Sequence, residues 1–160
     1  MALIPDRSTS RYAGHYARAI DPQRLLQIFS DSHRIALKSQ DPSTARARFE
    51  LAVEAYHQLT SMTLPMEMRV AIQGAMIMLA GQFPVQMCLN EALGLCAKAR
   101  KLKTARRQLE YLKRAREILL TGLATSPEGA PAIQATYDCV LTEITEVEAI
   151  AHAPRLDRER

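Results

Sequence analysis

Apolar residues recur at steps of three and four along most of this chain, and they almost never alternate. In 42–62, Ala45, Phe49, Ala52, Val53, Tyr56 and Leu59 keep that step; towards the end, Ile133, Tyr137, Val140, Leu141, Ile144, Val147 and Ile150 repeat it. Such spacing predicts amphipathic helices. The punctuation between the stripes agrees. Asp21-Pro22 and Asp41-Pro42 each place an N-cap acceptor before a proline at the first helical position. Pro65 and Pro84 open two further segments, with Gly81 as the stop before the second. "SPEGAPAIQ", 126–134, reads as a loop, and Pro131 opens the final helix.

The predicted helices are 22–39, 42–62, 65–80, 84–101, 104–124 and 131–151, with a short one near 10–19. Connections of two to eight residues make neighbours antiparallel. The expected fold is all-α: antiparallel helical hairpins or a helical bundle of six to seven helices. One domain is expected over 1–160, with 1–20 and 153–160 as flexible ends. The 65–80 helix is apolar on almost every side, which predicts a central place or a partner interface.

One boundary follows from a charge. With Val85 at zero angle, Cys88, Leu89, Ala92, Cys96 and Ala99 share a stripe. Continuing at about 100° per residue brings Lys103 onto its middle. A lysine does not belong in a core, so a helix ends near 101 and Thr104 caps the next.

Composition narrows the class. The chain has 160 residues, 48% of them hydrophobic, enough for a core and too many for a disordered chain. Pro5, Asp6 and Arg7 interrupt the N-terminal apolar stretch, so no secretory leader is expected. The window "VAIQGAMIMLAG", 70–81, is too short to span a bilayer. A soluble, cytoplasmic protein without a membrane partner is expected. Three cysteines, Cys88, Cys96 and Cys139, give no even framework and read as free buried thiols.

The 22–60 unit resembles a tetratricopeptide-type helical hairpin. Ala45, Phe49 and Ala52 match the small, bulky, small spacing of that family's second helix, after a short turn at "SQDPST". A weaker echo lies in 84–124: "TAR" recurs at 44–46 and 104–106, followed by Phe49-Glu50 and Leu109-Glu110. The two copies are 60 residues apart, against the family's 34. His33 stands where a small residue is usual, and His57 where a proline is. The resemblance implies a binding scaffold without catalysis of its own.

The residues themselves carry little reaction chemistry. His15, His33, His57 and His152 lie in no metal-ligand spacing. Nucleophile elbows, phosphate loops and dinucleotide fingerprints are missing from the sequence. One Glu has a His three residues on, Glu54 with His57, whereas a di-iron bundle requires that motif on two helices. The basic run after Cys96 could lower its pKa, but its position on the apolar stripe predicts a buried, inert thiol. No enzyme activity, catalytic residue, metal or cofactor is therefore expected. Six of the seven methionines fall between 62 and 87. They read as core filler, with Met66 and Met68 the better placed for exposure.

What stands out is 96–116, with nine Lys or Arg and a single acid, Glu110. On the 104–124 helix Arg106 and Lys113 form one row, Arg107 and Arg114 another. Arg116 falls inside the apolar stripe and must snorkel, pair or face a partner. Arg100, Lys101, Lys103, Arg106 and Arg107 crowd one hairpin end with no acid between them. The segment 128–150 carries five acids and no Lys or Arg, so packing it alongside would cancel part of that field. Net charge is +4.

The expected function is a non-catalytic protein-protein interaction module: an adaptor, chaperone or regulatory subunit. Its partner-binding residues would be Arg100, Lys101, Lys103, Arg106, Arg107, Lys113 and Arg114, and its partner another protein, of acidic surface. The alternative is a nucleic-acid-binding regulator using 98–116. That reading lacks a recognition motif, and Tyr111 is the only aromatic available for stacking. Self-association through 65–80 is left open.

Overall fold

A computed structural model describes residues 21–153. Among them are five α-helices and no strand: α1 (Pro22–Lys38), α2 (Pro42–Thr60), α3 (Met66–Arg100), α4 (Ala105–Thr125) and α5 (Ala130–His152). A 3-10 turn, Pro127–Gly129, precedes α5. The helix expected at 10–19, and the chain ends from 1 to 20 and beyond 153, lie outside the described residues.

The chain divides into two compact units, Met1–Met87 and Cys88–Arg160. In the first, α1 packs on α2. Both start as their sequences dictate. The Asp21 carboxylate accepts from the Gln23 N–H at 3.3 Å, and Asp41 accepts from the Thr44 N–H at 2.9 Å. Each is followed by proline at the first position, whose missing N–H costs nothing there. Leu25, Phe29 and Ala36 of α1 meet Ala45, Ala52, Val53, Tyr56 and Leu59 of α2 in one core. Ile72, Met76, Leu79 and Phe83 of α3 complete it.

The expected break between 65–80 and 84–101 is absent. One helix of 35 residues runs through Gly81 and contains Pro84. This corrects six expected helices to five among the described residues. Proline removes one donor and disfavours helical backbone before it, at about 3 kcal/mol. Opposing that cost is Phe83, which is 8% exposed and stacks on Phe49 with ring centroids 4.3 Å apart. Burying an aromatic side chain of this size stabilises by about 1.5–3 kcal/mol, and the stacking adds about 0.5–1.5 kcal/mol. The two sides are comparable, so the local stop signal does not decide. Fusion also removes the length limit argued for 70–81. Among the described residues α3 is the one helix long and apolar enough to cross a membrane, a property that core helices share.

The second unit contains the C-terminal part of α3 with α4 and α5. Cys88, Ala92, Leu95, Cys96 and Ala99 are buried, as are Leu112, Ala115 and Leu119 of α4 and Ile133, Val140 and Ile144 of α5. The helix break predicted from Lys103 is present: α3 ends at Arg100, and Lys103 is exposed. Two burial expectations, one from the apolar stripe and one for the thiols, need correction. Ile150 is 71% exposed at the end of α5, because the helix runs about two turns past Ile144, its last buried residue. Cys139 is exposed, between buried Val140 and the solvent side of α5, while Cys88 and Cys96 are free and buried.

Candidate functional site

The basic residues gather where α3 gives way to α4. The Lys101 N–H reaches the Lys98 carbonyl at 3.1 Å and the Leu102 N–H the Ala99 carbonyl at 3.0 Å, so the chain tightens as it leaves the helix. The Gln108 side chain then donates to the Leu102 carbonyl at 2.7 Å, tying the turn to the first turn of α4. Thr104 stands at the N-cap without a side-chain cap bond, and no acid lies in the first turn. Arg106 and Arg107 occupy it instead. Their charges add to the partial positive charge of a helix N-terminus, where anionic side chains are normally favoured.

Arg100, Lys101, Lys103, Arg106, Arg107, Lys113 and Arg114 are all exposed, but they are not equivalent. Arg100 donates to the Glu143 carboxylate of α5, and this bond holds its guanidinium above its ordinary pKa. Lys113 lies 3.8 Å from Glu148, also on α5. Arg106 lies 3.8 Å from Glu110 on its own helix, with both side chains mostly in solvent. Arg114 sits over the Tyr111 ring, 5.8 Å from its centroid. That leaves Lys101, Lys103 and Arg107 with neither an acid partner nor a ring contact among the described residues. Arg116, the cation on the apolar stripe, turns aside to the Glu117 carboxylate at 3.1 Å.

Between α4 and the end of α5 runs an open groove of about 360 Å³, lined by Arg106, Leu109, Glu110, Lys113 and Ala151. Its floor is apolar and its rim carries both signs of charge. The sequence did not disclose it, since α5 had to be placed first. Glu143 and Glu148 were legible only as members of an all-acid segment; which cation each would meet depends on how the helices align.

Cys96, the thiol flanked by basic residues, is buried. Desolvation raises its pKa, the Glu143 charge raises it further, and Arg100 offsets only part of this. Burial likewise pushes Cys88 up, with Glu91 adding to it. Both thiols are thus held in the protonated form. Among the described residues no three His, Cys, Asp or Glu side chains are grouped to hold a metal ion.

No protein-family model matches the chain, and neither a curated protein nor a solved structure shows similarity to it.

Proposed function

We propose that the chain is a non-catalytic protein-binding module whose docking site is the basic turn between α3 and α4. The observation that carries this reading is the set Lys101, Lys103 and Arg107: three exposed cations without an acid partner among the described residues, beside an uncapped helix start. Their complement is an acidic protein surface. The α4–α5 groove adds apolar contact next to the charges, which a partner side chain beside its acids would use. The hairpin resemblance of 22–60 points the same way, to a scaffold rather than an enzyme.

The same cations would also meet phosphates, so a nucleic-acid-binding regulator is the competing reading. Two features weigh against it. Glu143 and Glu148 cancel part of the field, and Tyr111, half-buried under Arg114, offers no stacking platform. The deciding experiment is fluorescence anisotropy at two salt concentrations with three labelled probes: an acidic peptide, duplex DNA and single-stranded RNA. Preferential binding of the peptide, lost on reversing Lys101, Lys103 and Arg107 to Glu, is the expected result. Micromolar binding of DNA or RNA that falls steeply with salt would move the assignment to nucleic acid. Equal binding by the reversed variant would remove the site.

A further inference from the structure

Helix α3 has two apolar faces in its first half, and only one is covered. Ile72, Met76, Leu79 and Phe83 are buried in the core of the first unit. At about 100° per residue, Gly74 lies roughly 170° round the helix from their mean direction. On that outer side Met66 is 74% exposed, Val70 61% and Met78 59%. The space above Gly74 is open: a Cβ there would meet nothing within 4 Å. From Val70 to Asn90 the sequence contains no charged residue. Large apolar side chains in solvent on both sides of an open glycine form a contact surface, since isolated exposed apolar residues do not line up on one face.

We infer that this outer face binds its own equivalent on a second copy of the chain, as an antiparallel helix pair with a two-fold axis near Gly74. Three arguments select a second copy. First, a two-fold contact sets the residue on the axis against itself and brings its neighbours together with their own copies, so a cluster of one sign there would repel. Within a turn or so of the axis this face has none: Val70, Ala71, Gly74, Ile77 and Met78 are all neutral. Second, the order of residues about Gly74 is self-complementary. Antiparallel pairing sets Val70 against Met78 of the second copy, Ala71 against Ile77, and Gly74 against Gly74, where the missing side chains let the backbones approach. Third, the nearest charges do not interfere. The Arg69 guanidinium is turned back onto the Thr60 carbonyl at 2.7 Å, and Glu67, on the same face but about two turns from Gly74, would face neutral Gly81. A lipid surface fits less well, because interfacial helices carry Lys or Arg beside the apolar face. One helix face offers less than the roughly 800 Å² per partner of a standard interface, so a weak, reversible dimer is expected.

Sedimentation velocity of the full chain, from about 1 μM to several hundred μM, tests this in the range where weak interfaces of this size associate. The expected result is a concentration-dependent shift towards twice the 17.9 kDa chain mass, little changed by salt, because no ion pair holds the pair together. Val70→Lys or Met78→Glu alone should weaken it at least tenfold. Combined in one chain they should restore it, since each new ammonium would then oppose a new carboxylate of the other copy. The two positions are eight residues apart, about 12 Å along one helix, too far to pair internally. Far-UV circular dichroism of each variant checks that the helices remain. A monomer at every concentration overturns the inference, as does a dimer that both single variants leave intact. A combined variant that stays monomeric overturns the antiparallel arrangement. Flotation of a strictly monomeric chain with phosphatidylglycerol vesicles would assign the face to lipid instead.

Discussion

Cys88 presses its sulfur against Gly122, the α4 position where any side chain would overlap it. The same thiol reaches the Ile118 carbonyl one turn earlier, at 3.5 Å. Two helices thus approach at a thiol and a bare backbone. In an exposed helix, replacing Gly by Ala gains about 1 kcal/mol. Here overpacking costs about 1–3 kcal/mol and wins. Gly122→Ala should therefore lower the thermal midpoint, and adding Cys88→Ala should restore it. Gly74→Ala, where the added methyl meets open space, should raise the midpoint by the helix-propensity term. Thermal unfolding of the three variants beside the parent chain, at low protein concentration, distinguishes the two glycines.

The three thiols should separate by reactivity. Cys139 is exposed and should be alkylated in the native protein, while Cys88 and Cys96 should wait for unfolding. Their raised pKa values also set a pH dependence. The folded state keeps these protons at a pH where the unfolded chain has lost them. The stability they contribute is therefore complete below the ordinary thiol value of 9.0, and is lost as pH rises from there through the folded values. Denaturant midpoints should fall above about pH 8.5, where an unfolded thiol begins to ionise. A Cys88→Ala, Cys96→Ala chain should lose that part of the fall.

Glu143 and Glu148 should act as internal competitors for an acidic partner. Changing both to Gln removes the neighbours of Arg100 and Lys113. Affinity for an acidic probe should rise roughly two- to tenfold, in keeping with surface pairs worth about 1 kcal/mol or less. Stability should change little. Isothermal titration beside chemical denaturation separates the two effects.

Pro84→Ala should stabilise α3 by up to about 3 kcal/mol, since it returns the backbone donor to a helix interior. Phe83→Ala should cost about 3–5 kcal/mol through the cavity left against Phe49. If the stack on Phe49 keeps the helix running past Pro84, the combined variant will show strong non-additivity. A double-mutant cycle on denaturant midpoints measures it.

Asp41→Ala should cost about 1 kcal/mol, because the carboxylate accepts from both the N–H and the hydroxyl of Thr44. Asp21, with a single and longer cap bond, should matter less. Chemical denaturation of each variant orders them.

Much of the fold was written in local chemistry. The Asp-Pro pairs marked two helix starts because cap acceptor and fixed φ act within four residues. Lys103 marked a helix end because a charge cannot ride an apolar stripe. Gly81 and Pro84 misled because their preferences, though real, were opposed by Phe83 meeting a ring from another helix. At the candidate site, the cations were legible and their accounting was not. Lys103 and Arg107 look like Arg100 and Lys113 in sequence; only the placement of α5 separates the engaged pair from the open one. Met78 and Ile150 escaped for a related reason: a periodic pattern shows which residues share a face, not whether anything covers it.

The continuity of α3 has a practical meaning for dividing the chain. The two compact units meet between Met87 and Cys88, inside a helix rather than in a connecting loop. Cutting there would leave four carbonyls on one fragment and four N–H groups on the other without helical partners. A protease looking for slack chain would find it near 61–65, 101–104 or 126–129, and every one of those cuts falls within a unit. The division between the units therefore falls inside one helix, and exchanging either half as a module would break the element they hold in common.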